Sequence, residues 1–524
     1  MTVIRPIDRS RTAAAVFLVL ALCIGGLVSA RWALMRVKRH RERQIHKNIA
    51  TQRFAERAKR LLNHAPANKG EWGIMVEDAE SGESLYELNS SMNFLPASNL
   101  KLFTTALALE KLGPDYRFRT TLESTGSITR QGELTSDLLL VGRGDPNLSN
   151  RKLPFQNKEE FDGPPEKVLA ELVDELVSRG VQSISGDVIG DDSYFALEPY
   201  PSGWEVDDVV WGYGAAISAL AVNDNTATLT LVPGKRAGDA VDISVVPRTS
   251  DFTVLNHVLT GAPRTPTKLA LTRHPGAHSV VVSGSLRASS GPTTLVVGIE
   301  EPAIFAATML KTILEQRGIA VRGVARAQHD GLANPAAKSL RALAEHLSHP
   351  LRDSVKVINK LSQNLQSELL LRTAMRETIG SSAASELPRF AADFYSEAGI
   401  MEDDVVQTDG SGLSRQDMVT PRAVACLLYY AEARPWFGVF FASLPIAGMD
   451  GTLEERMKST PATGRIHGKT GSADHAKTLS GFAETPNGRR LIFSFLGNNQ
   501  SSNSSESQDV LDGLCVAMIE ELNF

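Results

Sequence analysis

From about residue 118 to residue 300 the sequence is a succession of short β-type runs, "FRTTLESTG", "DLLLVG", "TATLTLVPG", "AVDISVVP", "HSVVVSGSL" and "TTLVVGIE", each cut off by Gly, Pro, Asn or Asp. The stretches before and after it carry helical spacing instead. This block constrains the fold more than any other feature. Short strands of this kind bury themselves by pairing with one another, so the helix-rich flanks have to meet around them and build one unit from two distant parts of the chain. One amphipathic helix, "PPEKVLAELVDELVSRG", interrupts the block. The reading divides the chain into an N-terminal segment 1–45, a first part 46–117, inserted mainly β material 118–299 and a second part 300–524. At 524 residues the chain is too long for one ordinary core.

The flanks supply the pieces of the split unit. Residues 44–63 read as a polar linking helix. "WGIMVEDAESGESLYELNS" alternates apolar and polar residues across "SGES", the pattern of a hairpin. An apolar helix follows in "PASNLKLFTTALALEKLG", residues 96–113, and stops at Gly113-Pro114. Near the other end, "GRIHGKTGS", "KTLSGFAET" and "RRLIFSFLGNN" read as strands. The amphipathic "DVLDGLCVAMIEELNF" can lie against the sheet they form.

Arg5, Arg9 and Arg11 precede "TAAAVFLVLALCIGGLVSA", residues 12–30, which is long enough to span a bilayer and has the look of a signal core. "VSA" at 28–30 could be cleaved. The basic residues that follow, Arg31, Arg36, Lys38, Arg39, Arg41 and Arg43, disfavour export after cleavage, so the expectation is an uncleaved membrane anchor. The larger basic flank alone would hold the body in the cytoplasm, but long domains translocate despite flanking charge. With the chemistry below, the expected location is the cell envelope or periplasm. A net charge of −5 argues against a nucleic-acid partner. Three cysteines are too few for a disulfide framework. The histidines show no ligand spacing, so no metal and no cofactor is expected.

The helix at 96–113 opens with Ser98 and Lys101, one turn apart on one face. A serine hydroxyl is a poor nucleophile until a neighbour takes its proton, and lysine can do so only as a neutral amine. Burial or a second cation would lower its pKa enough. The helix start adds backbone N–H groups suited to a developing oxyanion. Alone, this serine is better explained as a cap than as a nucleophile. The pair recurs as Ser149-x-x-Lys152, in a polar loop without an apolar helical face, and is set aside there. Ser362-x-Asn364 in "KLSQNLQSELLLR" and Lys469-Thr470-Gly471 in "IHGKTGSADH" complete a set of three, and Lys-Thr-Gly occurs once.

In this combination the sequence resembles the penicillin-recognising serine enzymes, and within them the class C, low-molecular-mass D-Ala-D-Ala carboxypeptidase/endopeptidase family. The long interval from Ser98 to Ser362, filled by the β-rich block, selects that branch, and "GRGDPNLS", "GDVIGDDSYF", "YGAAISALAVNDN" and "TDGSGLSR" fit it too. The resemblance implies an α/β fold: a β-lactamase/transpeptidase-like domain, with an antiparallel sheet between helices, and a large mainly β inserted region. It implies a serine-type D-Ala-D-Ala carboxypeptidase, or one that is a DD-endopeptidase as well, acting on peptidoglycan stem peptides through an acyl-enzyme, with β-lactams as inhibitors. Ser98 would be the nucleophile and Lys101 the general base. Ser362 would relay a proton to the leaving amine, and Asn364 would bind substrate and hold Lys101. Lys469 would attract the terminal carboxylate and help keep Lys101 neutral, and Thr470 would hydrogen-bond that carboxylate. Gly471 would leave room for substrate along the strand, and the N–H groups of Ser98 and Ser472 would form the oxyanion hole. Two alternatives share these motifs: a serine esterase or D-aminopeptidase on the same scaffold, and a non-catalytic wall-binding protein. "DGSGLS" reads as a glycine-rich turn shaped by Asp409 and Ser411. Asp191 and Asp192 read as a solvated turn, or as a site for the amine of a diamino acid.

Overall fold

The structure, a computed structural model, describes residues 36, 38, 41–42 and 44–524 apart from 65–66, 249–251, 275, 331–338 and 501–504. The apolar run 12–30 and Cys23 lie outside the described residues. Among the described residues no helix is long and apolar enough to cross a membrane.

Helix α1 covers residues 44–62. The expected hairpin follows as β1 (Glu71–Asp78) and β2 (Ser84–Leu88), turning through Gly82 at φ 68°. The helix after it is α2 (Lys101–Leu112). Far along the chain, β3 (Ile466–Ala473), β4 (Ala476–Glu484) and β5 (Arg490–Asn498) form an antiparallel meander. Strand β5 then pairs with β1, Val76 opposite Phe493 and Ile74 opposite Phe495, giving one antiparallel sheet in the order β3–β4–β5–β1–β2. The two ends of the chain therefore make one sheet.

Both faces of that sheet are covered. Ile74, Val76, Phe493 and Phe495 pack on Phe54 and Ala58 of α1 and on Leu514 and Met518 of the C-terminal helix (Ser505–Glu521). Met75, Ile492 and Leu496 face Leu102 and Leu107 of α2 and Val424 and Leu427 of the helix Pro421–Glu432. A strand covered on both sides loses polar alternation, which is why "RLIFSFLG" reads as one apolar run. Each such side chain contributes about 1.5–3 kcal/mol on burial. The sheet is thus an antiparallel layer between helices.

The inserted region is more mixed than expected. Strands Arg119–Ser124, Leu138–Val141, Val188–Asp191, Ala325–Gln328 and Arg341–Leu347 form a second five-stranded sheet with parallel and antiparallel pairs. Helices Lys167–Ser178 and Pro302–Gln316 pack on it through Val168, Leu172, Leu310 and Leu314. Among the described residues three three-stranded sheets complete the region. The helix and strands between 300 and 347, expected in the second part of the split unit, pair with inserted strands instead: Ala325 lies opposite Val188, and His346 opposite Thr120. This pairing moves the return point from residue 300 to helix α3 (Leu351–Leu361), which runs straight to Ser362.

Candidate active site

Residues Ala97–Leu100 form a single 3-10 turn that leads directly into α2. No side chain caps this start, so Ser98 is not there as a helix cap. Ala97 holds φ 46°, a left-handed conformation that costs a non-glycine residue on the order of 1–3 kcal/mol and persists only where its surroundings fix it. The loop at Gly412 supplies that constraint. A Cβ on Gly412 would lie 1.9 Å from the Ala97 carbonyl oxygen, so only glycine permits the approach. Ser98 is half-buried, while Lys101 and the rest of the first two turns of α2 are buried.

The Lys101 ammonium has three hydrogens and three acceptors: Ser98 Oγ at 2.9 Å, Asn364 Oδ1 at 2.7 Å and the Ser411 carbonyl at 2.6 Å. As a neutral amine it would still donate to Asn364 and Ser411, leaving its lone pair for the Ser98 hydroxyl. Burial brings its pKa down to about 8, against the opposing pull of the Asp409, Glu368 and Asp417 carboxyls.

Ser362 ends α3 in the left-handed conformation, at φ 60°, and Asn364 opens helix α4 (Asn364–Ile379). The Lys469 ammonium donates to Ser362 Oγ at 2.9 Å and to the Thr470 carbonyl at 2.7 Å. Both acceptors are neutral, and Lys469 is fully buried. Burial first, and the neighbouring Lys101 charge second, push its pKa well below the usual range. Sequence reasoning gave Lys469 a share in lowering Lys101. Burial is the larger cause at Lys101, and the repulsion is felt at Lys469. Asn364 Nδ2 donates to the Tyr213 carbonyl at 2.9 Å, so the inserted region also holds this residue in place.

Strand β3 is an edge strand of the main sheet, and it brings Lys469, Thr470, Gly471 and Ser472 beside Ser98. Thr470 Oγ1 is hydrogen-bonded to Thr452 Oγ1 at 2.7 Å, and the Lys477 ammonium donates to Ser472 Oγ. The reason for Gly471 differs from the expected one. A Cβ there would lie 2.1 Å from Thr478 Oγ1 and 2.7 Å from the Pro96 carbonyl oxygen, so the glycine admits the turn that carries Ser98. Sequence reasoning also missed Asn99. It is buried and donates through Nδ2 to the Lys469 carbonyl at 2.9 Å and to Thr478 Oγ1 at 2.8 Å, while Thr478 Oγ1 donates to the Pro96 carbonyl at 2.9 Å. These bonds fasten the serine turn to the lysine strand.

Asp409 explains the "DGSGLS" turn. Its carboxylate accepts from the N–H groups of Ser411, Gly412, Leu413 and Ser414, from Ser411 Oγ, and from Trp204 Nε1 of the inserted region. The turn so formed aims the Ser411 carbonyl at Lys101. Beneath it, burial and the Asp409 charge raise Glu368 to about 8 and hold Asp417 well above the carboxylate range. Ser98, Ser362, Asn364 and Ser472 line one cavity of about 410 Å³, with Arg415 and Asp474 on its rim. Asp191 and Asp192 do not line it. They are buried, with Gln328 donating to Asp191 and His329 and Ser218 bonded to Asp192, so the solvated-turn reading does not hold. Ser149 is bonded to Asp224 in the inserted region. Among the described residues no group of three or more His, Cys, Asp or Glu side chains is placed to hold a metal ion.

The sequence profile described as the D-Ala-D-Ala carboxypeptidase 3 (S13) family matches residues 55–518. The chain is 33% identical over 460 residues to the D-alanyl-D-alanine carboxypeptidase of Actinomadura sp. (strain R39), covering 86% of this chain and 81% of that one. It is 27% identical over 441 residues to D-alanyl-D-alanine carboxypeptidase DacB of Haemophilus influenzae, covering 83% and 87%. The crystal structure of penicillin binding protein 4 (dacB) from Haemophilus influenzae superposes with a TM-score of 0.77 at 25% identity, over 89% of this chain and 99% of that one. The same protein complexed with a β-lactam superposes at 0.70.

Proposed function

The chain belongs to the D-Ala-D-Ala carboxypeptidase 3 (S13) family and is a serine-type D-Ala-D-Ala carboxypeptidase; from that premise we propose that Ser98 is its nucleophile and Lys101 the base that activates it. Membership decides against the esterase and wall-binding alternatives. The observation that carries the assignment of roles is the 2.9 Å contact between Ser98 Oγ and a buried lysine amine whose other two partners are neutral oxygens.

Ser98 Oγ attacks the carbonyl carbon of the penultimate D-alanine as its proton passes to Lys101 Nζ. The N–H groups of Ser98 and Ser472 stabilise the oxyanion. The carbon–nitrogen bond then breaks, and the departing amine takes a proton through Ser362 Oγ. The proton gained by Lys101 restores the balance. Water attacks the resulting ester with the same groups and releases the shortened peptide. The terminal carboxylate of the substrate sits by Lys469 and Thr470. It supplies the counter-charge that Lys469 lacks, so positive charge collects there, and like-charge repulsion keeps Lys101 neutral. A β-lactam follows the same first step, but its leaving nitrogen stays tethered.

The enzyme acts in the bacterial cell envelope, and the segment 12–30 tethers it to the outer face of the cytoplasmic membrane. Labelling with a fluorescent penicillin, read by intact mass, tests both points. One covalent adduct on the wild type, none on Ser98→Ala, and an N-terminus that retains residues 12–30 are expected. An undiminished adduct on Ser98→Ala would reject the assignment of the nucleophile.

A further inference from the structure

Strand β3 carries two hydroxyl groups after Lys469, and they are engaged differently. Thr470 Oγ1 is bonded to Thr452 Oγ1 at 2.7 Å, and Thr470 does not line the cavity that holds Ser98. Ser472 does line that cavity and is exposed. Opposite Ser472 in the β3–β4 ladder stands Lys477, whose ammonium donates to Ser472 Oγ. An ammonium has hydrogens and no lone pair, so Ser472 Oγ can only accept in this contact. The hydroxyl proton is left over. Among the described residues no acceptor takes it, and it is available to whatever enters the cavity.

The hairpin around this pair is held in place. His475, at its turn, has φ 61°, its Nδ1 lies 2.8 Å from the Gln500 carbonyl oxygen, and the Gln500 N–H donates to the His475 carbonyl at 3.1 Å. Arg415 Nη1 donates to the Asp474 carbonyl at 3.1 Å. Lys477 itself is half-buried, and among the described residues no carboxylate lies within ion-pairing distance of it. Burial lowers its pKa, against the pull of Asp474 and together with the repulsion of Arg456, whose own guanidinium is taken by Asp512 at 2.6 Å. Lys469, three residues before Ser472, is likewise without a counter-ion. An anion that reaches the Ser472 hydroxyl meets positive charge that neither lysine has compensated.

We propose that Lys477 is a positioning residue for the terminal carboxylate of the substrate: it commits the Ser472 hydroxyl to donate to that carboxylate and adds a positive charge behind it. This role rests on the reading of the cavity as the place where Ser98 is acylated. No bond is made or broken at Lys477. It acts through Ser472, whose backbone N–H is also the second oxyanion donor, so a carboxylate held there sets how the scissile carbonyl lies. A leaving group with a free carboxylate is thereby favoured over the same group with its carboxylate masked.

The test uses the full-length protein and two thioesters of one peptidyl-D-alanine, read by thiol release. In the first the thiolactate leaving group has a free carboxylate, and in the second that carboxylate is a methyl ester. Lys477→Met should lower kcat/KM at least tenfold on the first and leave the second within twofold. Lys477→Arg, which keeps the charge and the donors, should hold the first within threefold of the wild type. Ser472→Ala should show the same selective loss, and adding Lys477→Met to it should cost less than a further twofold. An equal fall on both thioesters would mean that the lysine only shapes the hairpin, and overturns the proposal. So does an unchanged rate on the free acid, a Lys477→Arg variant as impaired as Lys477→Met, or losses at 472 and 477 that multiply in full. Intact mass after benzylpenicillin treatment of the wild type separates this role from the reading beneath it. An adduct together with no selective effect at Lys477 overturns this role alone, and no adduct overturns both.

Discussion

The pH dependence of acylation by benzylpenicillin is fixed by the state of Lys101. That inhibitor has one ionisable group, a carboxylic acid that stays ionised from pH 6 to 9, so the profile reports the enzyme. With Lys101 at a pKa of about 8, roughly one molecule in ten carries the neutral amine at pH 7. A lysine at the usual 10.4 would offer about one in 2500, so burial raises base availability about 200-fold, equivalent to about 3 kcal/mol. The second-order rate constant, followed by stopped flow, should rise about ninefold from pH 6 to 7, about fivefold from 7 to 8 and about twofold from 8 to 9, and then level. Neutral amine accumulates as pH rises, which sets the sign. A flat profile would show that Lys101 is not the titrating base. A tenfold rise per unit continuing through pH 9 would show that burial does not lower it.

Two further outcomes follow from the same packing. Glu368, raised from about 4.5 in the unfolded chain to about 8, keeps its proton in the folded state while the unfolded chain loses its own, so its destabilising effect grows from pH 4.5 to 8 and is constant above. Glu368→Gln keeps the acceptor for the Gly410 N–H and should raise Tm more at pH 8 than at pH 5, by differential scanning fluorimetry; an equal shift at both would show that the carboxyl is ionised in the fold. Gly471→Ala forces a methyl against Thr478 Oγ1 and the Pro96 carbonyl oxygen. Fluorescent-penicillin labelling should drop at least 100-fold with the fold retained by circular dichroism, and near-normal labelling would show that the turn can give way.

The groups that meet around Ser98 were legible because each sits in a short motif of fixed spacing, and the three motifs occur in one order. The groups that hold them were not. Asn99 works by reaching a main-chain carbonyl on β3, and Ser411 by presenting its own carbonyl; neither contact depends on a spacing that sequence can display. Asp409 was readable as a turn former, but not as the acceptor that ties the inserted region to that turn through Trp204. The misplaced boundary at 300 has a similar origin. The helix Pro302–Gln316 has the spacing of any packed helix, and what assigns it to the inserted region is the pairing of Ala325–Gln328 with Val188–Asp191.

The closure of the main sheet by strands from opposite ends of the polypeptide makes this hydrolase latent while it is being made. A nascent chain that has already emerged past Ser98 and Lys101 still lacks Lys469, the oxyanion donor at Ser472 and the neighbour that β1 requires in β5. Acyl transfer at Ser98 can begin only after the strands from Ile466 to Asn498 have docked, so a product terminated before Lys469 is inactive.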